Sequence, residues 1–127
     1  MKISHISIYV NDLKIMDNFY EKYFNAKSNE MYFNPKTGLK TYRLSFDDGI
    51  KIEIMTKQNL HIPDKDIENV GYNHIAFSVG GRAEVDRITK WLEKDGYKII
   101  SYPHIAGDQT YESYVLDPEK NVIEIDE

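Results

Sequence analysis

The chain has 127 residues and a formal net charge of −5 at pH 7, which gives no electrostatic basis for binding nucleic acid or an anionic membrane. It contains no cysteine, so disulfides and thiolate metal ligands are excluded, and any metal must be held by nitrogen and oxygen. No apolar stretch approaches the roughly 20 residues of a membrane helix, and the N-terminus lacks a signal-peptide pattern. We therefore expect a cytoplasmic protein without nucleic-acid or membrane partners.

The first half of the chain predicts the element order β-α-β-β-β. Residues 2–10 alternate in polarity, which predicts a strand with one aliphatic face and one polar face that carries His5. Apolar residues then recur at helical spacing over 12–24, and Asp12 is the candidate N-cap. Three strand-like stretches follow between turn sequences, near 26–33, 39–47 and 50–56.

The second half predicts the same order. Residues 71–79 alternate in the same way, and residues 81–96 predict a helix that ends at Gly96. The residues expected to be buried in this helix are Val85, Ile88, Trp91 and Leu92. The strand-like stretches that follow it lie near 97–103, 111–117 and 121–126.

These patterns predict an α+β fold built from two tandem βαβββ modules, 1–56 and 71–127, joined by a linker over 57–70. A module of under 60 residues does not easily bury a core alone, so we expect the two to form one domain. In the predicted architecture a mixed sheet curls into a cup, and the helices cover its outer face.

Four residues able to bind a metal occupy equivalent places in the two modules. His5 and His74 lie on the first strand of a module, and Glu53 and Glu124 lie on the last, within the sequence "IEI" each time. All four have the strand phase opposite to their aliphatic neighbours, so a cup would bring them together. A single strand glutamate is usually just solvated, but this repeated pattern favours a metal site. Two nitrogens and two oxygens suit Zn, Ni, Co, Mn or Fe(II).

The segments "SHISIYVND", "IKIEIM", "GYNHIAFSV" and "DPEKNVIEI" resemble the vicinal oxygen chelate superfamily over nearly the whole chain. Its members include glyoxalase I, extradiol dioxygenases, methylmalonyl-CoA epimerase, fosfomycin-resistance proteins and bleomycin-binding proteins. The resemblance places the family's metal ligands on His5, Glu53, His74 and Glu124, which is the set of bacterial-type glyoxalase I. Extradiol dioxygenases use one carboxylate only, and bleomycin-binding relatives generally lack the ligands.

The resemblance implies a metal-dependent lyase or isomerase that acts on a small substrate with adjacent oxygens through an enediolate-type intermediate. Glu124 or Glu53 would be the catalytic base, and Glu124 is preferred. One alternative is a non-catalytic protein of the same fold that binds an antibiotic or a metabolite. Another is metal-assisted addition of a nucleophile to an epoxide, as in fosfomycin resistance.

Four further residues are candidates for lining a substrate pocket: Ser7, Tyr9, Arg43 and Tyr111. Ordinary packing explains Ser7 and Tyr9 equally well, a surface position is the better explanation for Arg43, and Tyr111 needs no function if its loop is a plain turn. His61 in the linker and His104 are interpreted as non-ligands. The chain has only three arginines, and we find no segment suited to gripping the carboxylates of glutathione, so lactoylglutathione is not assigned as substrate.

By the same resemblance we expect a homodimer. The metal site would form either within one chain or across a two-fold axis, and an isologous dimer would carry two equal sites. The sequence leaves both arrangements open.

Overall fold

The computed structural model describes residues 3–66, 68 and 70–127. The chain divides into two compact units, unit 1 (Met1–Pro63) and unit 2 (Asp64–Glu127), and their boundary falls within the predicted linker 57–70. Residues 1 and 2, at the start of the first predicted module, and residues 67 and 69 of that linker lie outside the described residues. In the described part of the chain, every helix is too short or too polar to cross a membrane.

Unit 1 packs one helix on a mixed sheet. Its elements are β1 (Ile6–Tyr9), α1 (Leu13–Phe24), β2 (Lys27–Ser28), β3 (Tyr32–Asn34), β4 (Leu39–Ser45) and β5 (Lys51–Thr56). The strand order is β1-β5-β4-β2, β3 also pairs with β4, and the β1–β5 pair is parallel whereas the others are antiparallel. The predicted module order is therefore present, with one strand divided in two.

That division has a simple cause in the pairing with β4. Ser28 lies opposite Leu44 and Tyr32 lies opposite Thr41, so the β2–β3 segment uses one more residue than β4 over the same stretch. An extra residue on one strand interrupts the ladder as a bulge does. The single strand predicted near 26–33 is accordingly two short strands.

Helix α1 confirms the predicted helix over 12–24. The Asp12 carboxylate accepts hydrogen bonds from the backbone N–H groups of Lys14 and Ile15 at 2.9 and 3.0 Å, which satisfies two donors that the first turn leaves free. The helix contacts β4 and β5, where Leu44 and Ile52 are fully buried. The apolar residues that it buries are Leu13, Met16, Phe19, Tyr20 and Tyr23.

Unit 2 repeats this architecture. Its elements are β6 (His74–Ser78), α2 (Arg82–Lys94), β7 (Ile99–Ile105), β8 (Tyr111–Leu116) and β9 (Val122–Asp126). The order β6-β9-β8-β7, with β6 and β9 parallel, matches β1-β5-β4-β2 strand for strand. The α+β class and the two modules are confirmed. Each unit has a sheet of its own, rather than a share of one continuous sheet, and the cup formed by both remains a prediction.

Helix α2 differs from its prediction at one position. Val85, Ile88 and Leu92 are buried as expected, but Trp91 is only half-buried, with the Arg87 guanidinium 5.9 Å from its ring centre. Thr89 takes the fourth buried position instead, since its hydroxyl donates a hydrogen bond to the Val85 carbonyl at 2.7 Å. A threonine on the buried side of a helix is therefore tolerated when its hydroxyl has a hydrogen-bond partner.

Gly96 ends α2 as predicted. Its φ of 90° is a left-handed conformation that residues with a Cβ adopt at a cost. The following N–H, that of Tyr97, donates to the Leu92 carbonyl at 3.0 Å, and the Gly96 N–H donates to the Glu93 carbonyl at 3.0 Å. These bonds satisfy carbonyls at the helix end and turn the chain towards β7.

Candidate functional site

One face of the unit 1 sheet carries polar side chains, and the other face packs on α1. Ser7, Glu53 and Arg43 form a row across β1, β5 and β4, because Glu53 pairs with Ser7 on one side and with Arg43 on the other. The Nε2 atom of His5 lies 3.7 Å from Glu53 Oε2, and the Ser7 hydroxyl donates to the same oxygen at 3.3 Å. Unit 1 thus brings together His5 and Glu53, one of the two ligand pairs predicted.

Arg43 is the strongest partner of Glu53. Its Nε and Nη2 atoms lie 3.1 and 2.5 Å from Glu53 Oε1, while Oε2 faces His5 and Ser7. Hydrogen bonding to Arg43 lowers the pKa of Glu53, and the charges of Arg43 and His5 act in the same direction. Glu53 is therefore a fixed anion, with one oxygen neutralised by a permanent cation.

The polar face of unit 2 holds the second pair. Glu124 lies between Ala76 on β6 and Tyr114 on β8, while Ile123 and Ile125 are fully buried on the opposite face. The Nε2 atom of His74 is 2.9 Å from Glu124 Oε2. The pairing of β6 with β9 thus positions His74 and Glu124 as the pairing of β1 with β5 positions their counterparts.

Tyr114 is a site residue that the sequence prediction missed. Its hydroxyl donates to Glu124 Oε2 at 2.7 Å, and its ring packs edge-on against the His74 ring with centroids 5.6 Å apart. Burial, followed by hydrogen bonding to Glu124 and Glu112, raises the pKa of Tyr114. The phenol therefore remains neutral and donates a hydrogen bond to Glu124 at physiological pH.

Both histidines predicted as ligands have their Nδ1 atoms next to a polar group of the preceding residue. His74 Nδ1 lies 2.7 Å from the Asn73 side-chain oxygen, and His5 Nδ1 lies 2.9 Å from the Ser4 hydroxyl. An amide oxygen only accepts, so Nδ1 of His74 donates to Asn73, and Nε2 is the ring nitrogen that faces Glu124. Metal-binding histidines are usually oriented in this way.

Each predicted His–Glu pair has a spacing that two ligands of one transition metal ion could have. Two donors about 2.1 Å from one ion and at right angles to each other are about 3.0 Å apart, which matches the 2.9 Å between His74 and Glu124. The 3.7 Å between His5 and Glu53 corresponds to a wider angle. Among the described residues, no group of three or more His, Cys, Asp and Glu side chains is arranged to hold a metal ion. The four-ligand site therefore stays a prediction, and the two pairs are what the structure contains.

The remaining predicted residues lie in different surroundings. Tyr9 has the strand phase of Ser7 and is 51% exposed. Tyr111 lies on the helix side of its sheet, where its hydroxyl donates to Asp86 Oδ1 of α2 at 2.7 Å. His104, interpreted as a non-ligand, has its Nε2 atom 3.9 Å from Glu112 Oε1.

Comparison with known proteins identifies a family whose model matches nearly the whole chain. The family model described as the Glyoxalase/Bleomycin resistance protein/Dioxygenase superfamily matches residues 2–125. The chain is 25% identical over 124 residues to "Uncharacterized protein YqjT" of Bacillus subtilis (strain 168), covering 95% of this chain and 94% of that protein.

Two solved structures share the fold at low sequence identity. A V278E mutant of glyoxalase I from Zea mays superposes with a TM-score of 0.81 at 19% identity, covering 98% of this chain and 44% of the maize chain. The fosfomycin resistance protein FosX from Listeria monocytogenes superposes with a TM-score of 0.76 at 24% identity, covering 98% of this chain and 91% of FosX. The chain thus spans less than half the length of the maize enzyme.

Proposed function

Because this chain belongs to the glyoxalase/bleomycin resistance protein/dioxygenase superfamily, we propose that it is a metal-dependent lyase or isomerase of the glyoxalase type. The observation that carries the proposal is the repeated His–Glu pair, in which Nε2 of the histidine faces the carboxylate in both units. The substrate would be a small molecule with two adjacent oxygens. A metal would bind these two oxygens directly, so the proposal does not need arginines that bind the carboxylates of glutathione.

The proposed ligands are His5, Glu53, His74 and Glu124. A divalent ion such as Ni, Zn, Mn, Co or Fe(II) would supply Lewis acidity towards the two substrate oxygens and so stabilise an enediolate-type intermediate. Asn73 and Ser4 hold the two histidines so that Nε2 is the donor atom.

We assign proton transfer to Glu124 and a purely binding role to Glu53. Glu53 is paired with the Arg43 guanidinium, which lowers its pKa and makes its carboxylate a poor proton acceptor. Glu124 is held by the neutral Tyr114 hydroxyl and by His74. Its carboxylate would take the proton from the substrate carbon beside the carbonyl as that C–H bond breaks. It would then return the proton to the neighbouring carbon.

We further propose that the protein works in the cytoplasm as a homodimer. Support for the dimer comes from the family and from exposed apolar side chains in unit 1, namely Met31, Tyr32 and Phe33, which are 46%, 56% and 49% exposed. Light scattering after size-exclusion chromatography would show twice the chain mass. A single-chain mass at micromolar concentration would refute the dimer.

A second candidate function is binding without turnover. It is favoured by one observation, that each unit offers two metal ligands and the described residues form no group of three. A small metabolite or antibiotic would then stabilise the protein against unfolding and would be recovered unchanged.

Metal content and proton exchange together test the proposed function. Untagged protein purified without chelator should contain near-stoichiometric transition metal by elemental mass spectrometry, and Glu124→Ala and Glu53→Ala should each lose most of it. Glu84→Ala is the matched control, because this glutamate lies on α2 and pairs with Arg87 on the helix surface. The parent should also exchange the carbon-bound proton of a hemithioacetal or an α-hydroxycarbonyl compound in deuterated water. Protein that takes up no Ni, Zn, Mn, Co or Fe(II) on reconstitution would overturn the proposal.

A further inference from the structure

We propose that Tyr114 is a positioning residue that holds both His74 and Glu124 in the geometry needed to bind metal. This inference rests on the proposed function, because it concerns the same site. It assigns a role to a residue outside the predicted ligand set.

The contacts of Tyr114 carry the inference. Tyr114 lies directly opposite Glu124 in the antiparallel β8–β9 pair, so the backbone ladder fixes the distance between the two side chains. Its hydroxyl donates to Glu124 Oε2 at 2.7 Å, and its ring packs against His74 at an interplanar angle of 70°. One side chain therefore restrains both members of the pair whose donor atoms are 2.9 Å apart.

Tyr114 is itself restrained from its other side. Glu112 precedes it by two residues on β8, so the two side chains share a sheet face, and Glu112 is only 8% exposed. Glu112 is also close enough to the Tyr114 hydroxyl to contribute to raising its pKa. A phenol with two rotatable bonds, half-buried between two carboxylates, loses little further freedom when a metal binds.

The corresponding position in unit 1 shows why the identity of this residue matters. The residue opposite Glu53 is Arg43, whose guanidinium neutralises Glu53 Oε1. A neutral hydroxyl orients Glu124 and leaves most of the carboxylate charge available to a cation. The two units therefore hold equivalent glutamates by different chemistry, and Tyr114 accounts for the tighter pair.

The test compares Tyr114→Phe, which removes the hydroxyl and keeps the ring, with Tyr102→Phe. Tyr102 is the matched control, because its hydroxyl also donates to a carboxylate, that of Glu93 on α2. Affinity for Zn and Ni is measured by competition with a chelator. Removal of an outer-shell partner typically weakens metal binding by about 10- to 100-fold, which we expect for Tyr114→Phe and not for Tyr102→Phe. In a Glu124→Ala background, Tyr114→Phe should cause no further loss, since it acts through Glu124.

A metal-free readout separates this inference from the proposed function. In nitrogen-15 spectra of the histidine rings of the apo protein, Tyr114→Phe should shift or broaden the His74 signals and leave those of His61 unchanged. Unchanged His74 signals together with unchanged metal affinity would overturn the role of Tyr114. Full metal binding without any turnover would instead overturn the isomerase proposal and leave Tyr114 as a ligand-positioning residue. If the parent takes up no metal, the proposed function fails and the apo spectra alone decide the inference.

Discussion

Replacing Arg43 by methionine removes a cation from Glu53 while keeping an unbranched side chain of similar reach. In the native protein the guanidinium places Nε and Nη2 at 3.1 and 2.5 Å from one carboxylate oxygen. The variant leaves Glu53 with only Ser7 and His5 among these partners. We expect Arg43→Met to fold, to be less stable at neutral pH, and to have a higher Glu53 pKa than the parent.

The size of the effect follows from the distances and the exposure of the pair. Two unit charges at these separations interact by roughly 1.5 kcal/mol in bulk water and by about 6 kcal/mol at an effective dielectric constant of about 20. The Arg43 side chain is 49% exposed and that of Glu53 is 17% exposed, so solvent screens most of the interaction. Desolvation of the carboxylate offsets part of the remainder. We therefore expect Arg43→Met to lower the free energy of unfolding by about 1 kcal/mol at about pH 7.

The sign of the pH dependence is fixed by the direction of the Glu53 shift. Arg43 lowers the pKa of Glu53 below its ordinary value of 4.5, so the folded state holds the proton less tightly than the unfolded state. The stabilisation is fully present above pH 4.5 and is lost as the pH falls through the pKa of Glu53 in the folded state. The difference in unfolding free energy between parent and Arg43→Met should accordingly shrink as the pH is lowered below 4.5.

Urea denaturation from neutral pH to below the Glu53 pKa measures the stability difference. Carbon-13 titration of the Glu53 carboxyl measures its pKa in parent and variant. Arg87→Met is the matched control, because Arg87 also contacts a carboxylate, that of Glu84, but on an exposed helix surface. Its effect should be smaller than that of Arg43→Met. A stability difference that is independent of pH, with an unchanged Glu53 titration, would show that Arg43 acts by packing alone and would refute the electrostatic account.

Two further predictions concern stability. Asp12→Ala removes the N-cap of α1 and should lower the free energy of unfolding by about 1 kcal/mol, measured by urea denaturation. Thr89→Val leaves the fully buried Ser113 hydroxyl without its 2.6 Å partner and should cost about 1 to 3 kcal/mol by the same measurement. Adding Ser113→Ala should recover part of that loss, and a double variant less stable than the sum of the two single ones would contradict this explanation.

The elements that followed from the sequence are those with strong periodicity. Alternation at period two marked β1 and β6, and helical spacing with an N-cap marked α1. The bulge between Ser28 and Tyr32 did not follow, because it depends on the pairing with β4 and not on local composition. The exposure of Trp91 did not follow either. Hydrophobicity alone favours burying tryptophan, whereas in the structure Trp91 is half-buried and Thr89 is buried with its hydroxyl hydrogen-bonded to the Val85 carbonyl.

That each histidine lies beside its glutamate could be predicted because the module is repeated, but the other neighbours of the glutamates required the strand register. Leu116 pairs with Val122 across the turn that Asp117 closes, and counting outward from that pair puts Tyr114 opposite Glu124. The turn was visible in the sequence "DPEKN", but its closing pair was not. A shift of one residue would have turned Tyr114 to the helix side of the sheet. Register, not residue type, therefore decides which side chain restrains the carboxylate.

The same register in the two units gives their glutamates unlike neighbours. Glu53 and Glu124 occupy equivalent places, yet Arg43 lies opposite the first and Tyr114 opposite the second. A carboxylate paired with a permanent cation remains ionised and is a poor base, whereas Glu124 lies against the neutral Tyr114 hydroxyl and His74 and has no arginine opposite it. Where two carboxylates serve one reaction, unequal surroundings are what allow one to bind and the other to transfer protons. The different roles proposed for Glu53 and Glu124 thus depend on one difference between the two units. Arg43 lies opposite the glutamate in unit 1, and Tyr114 lies opposite it in unit 2.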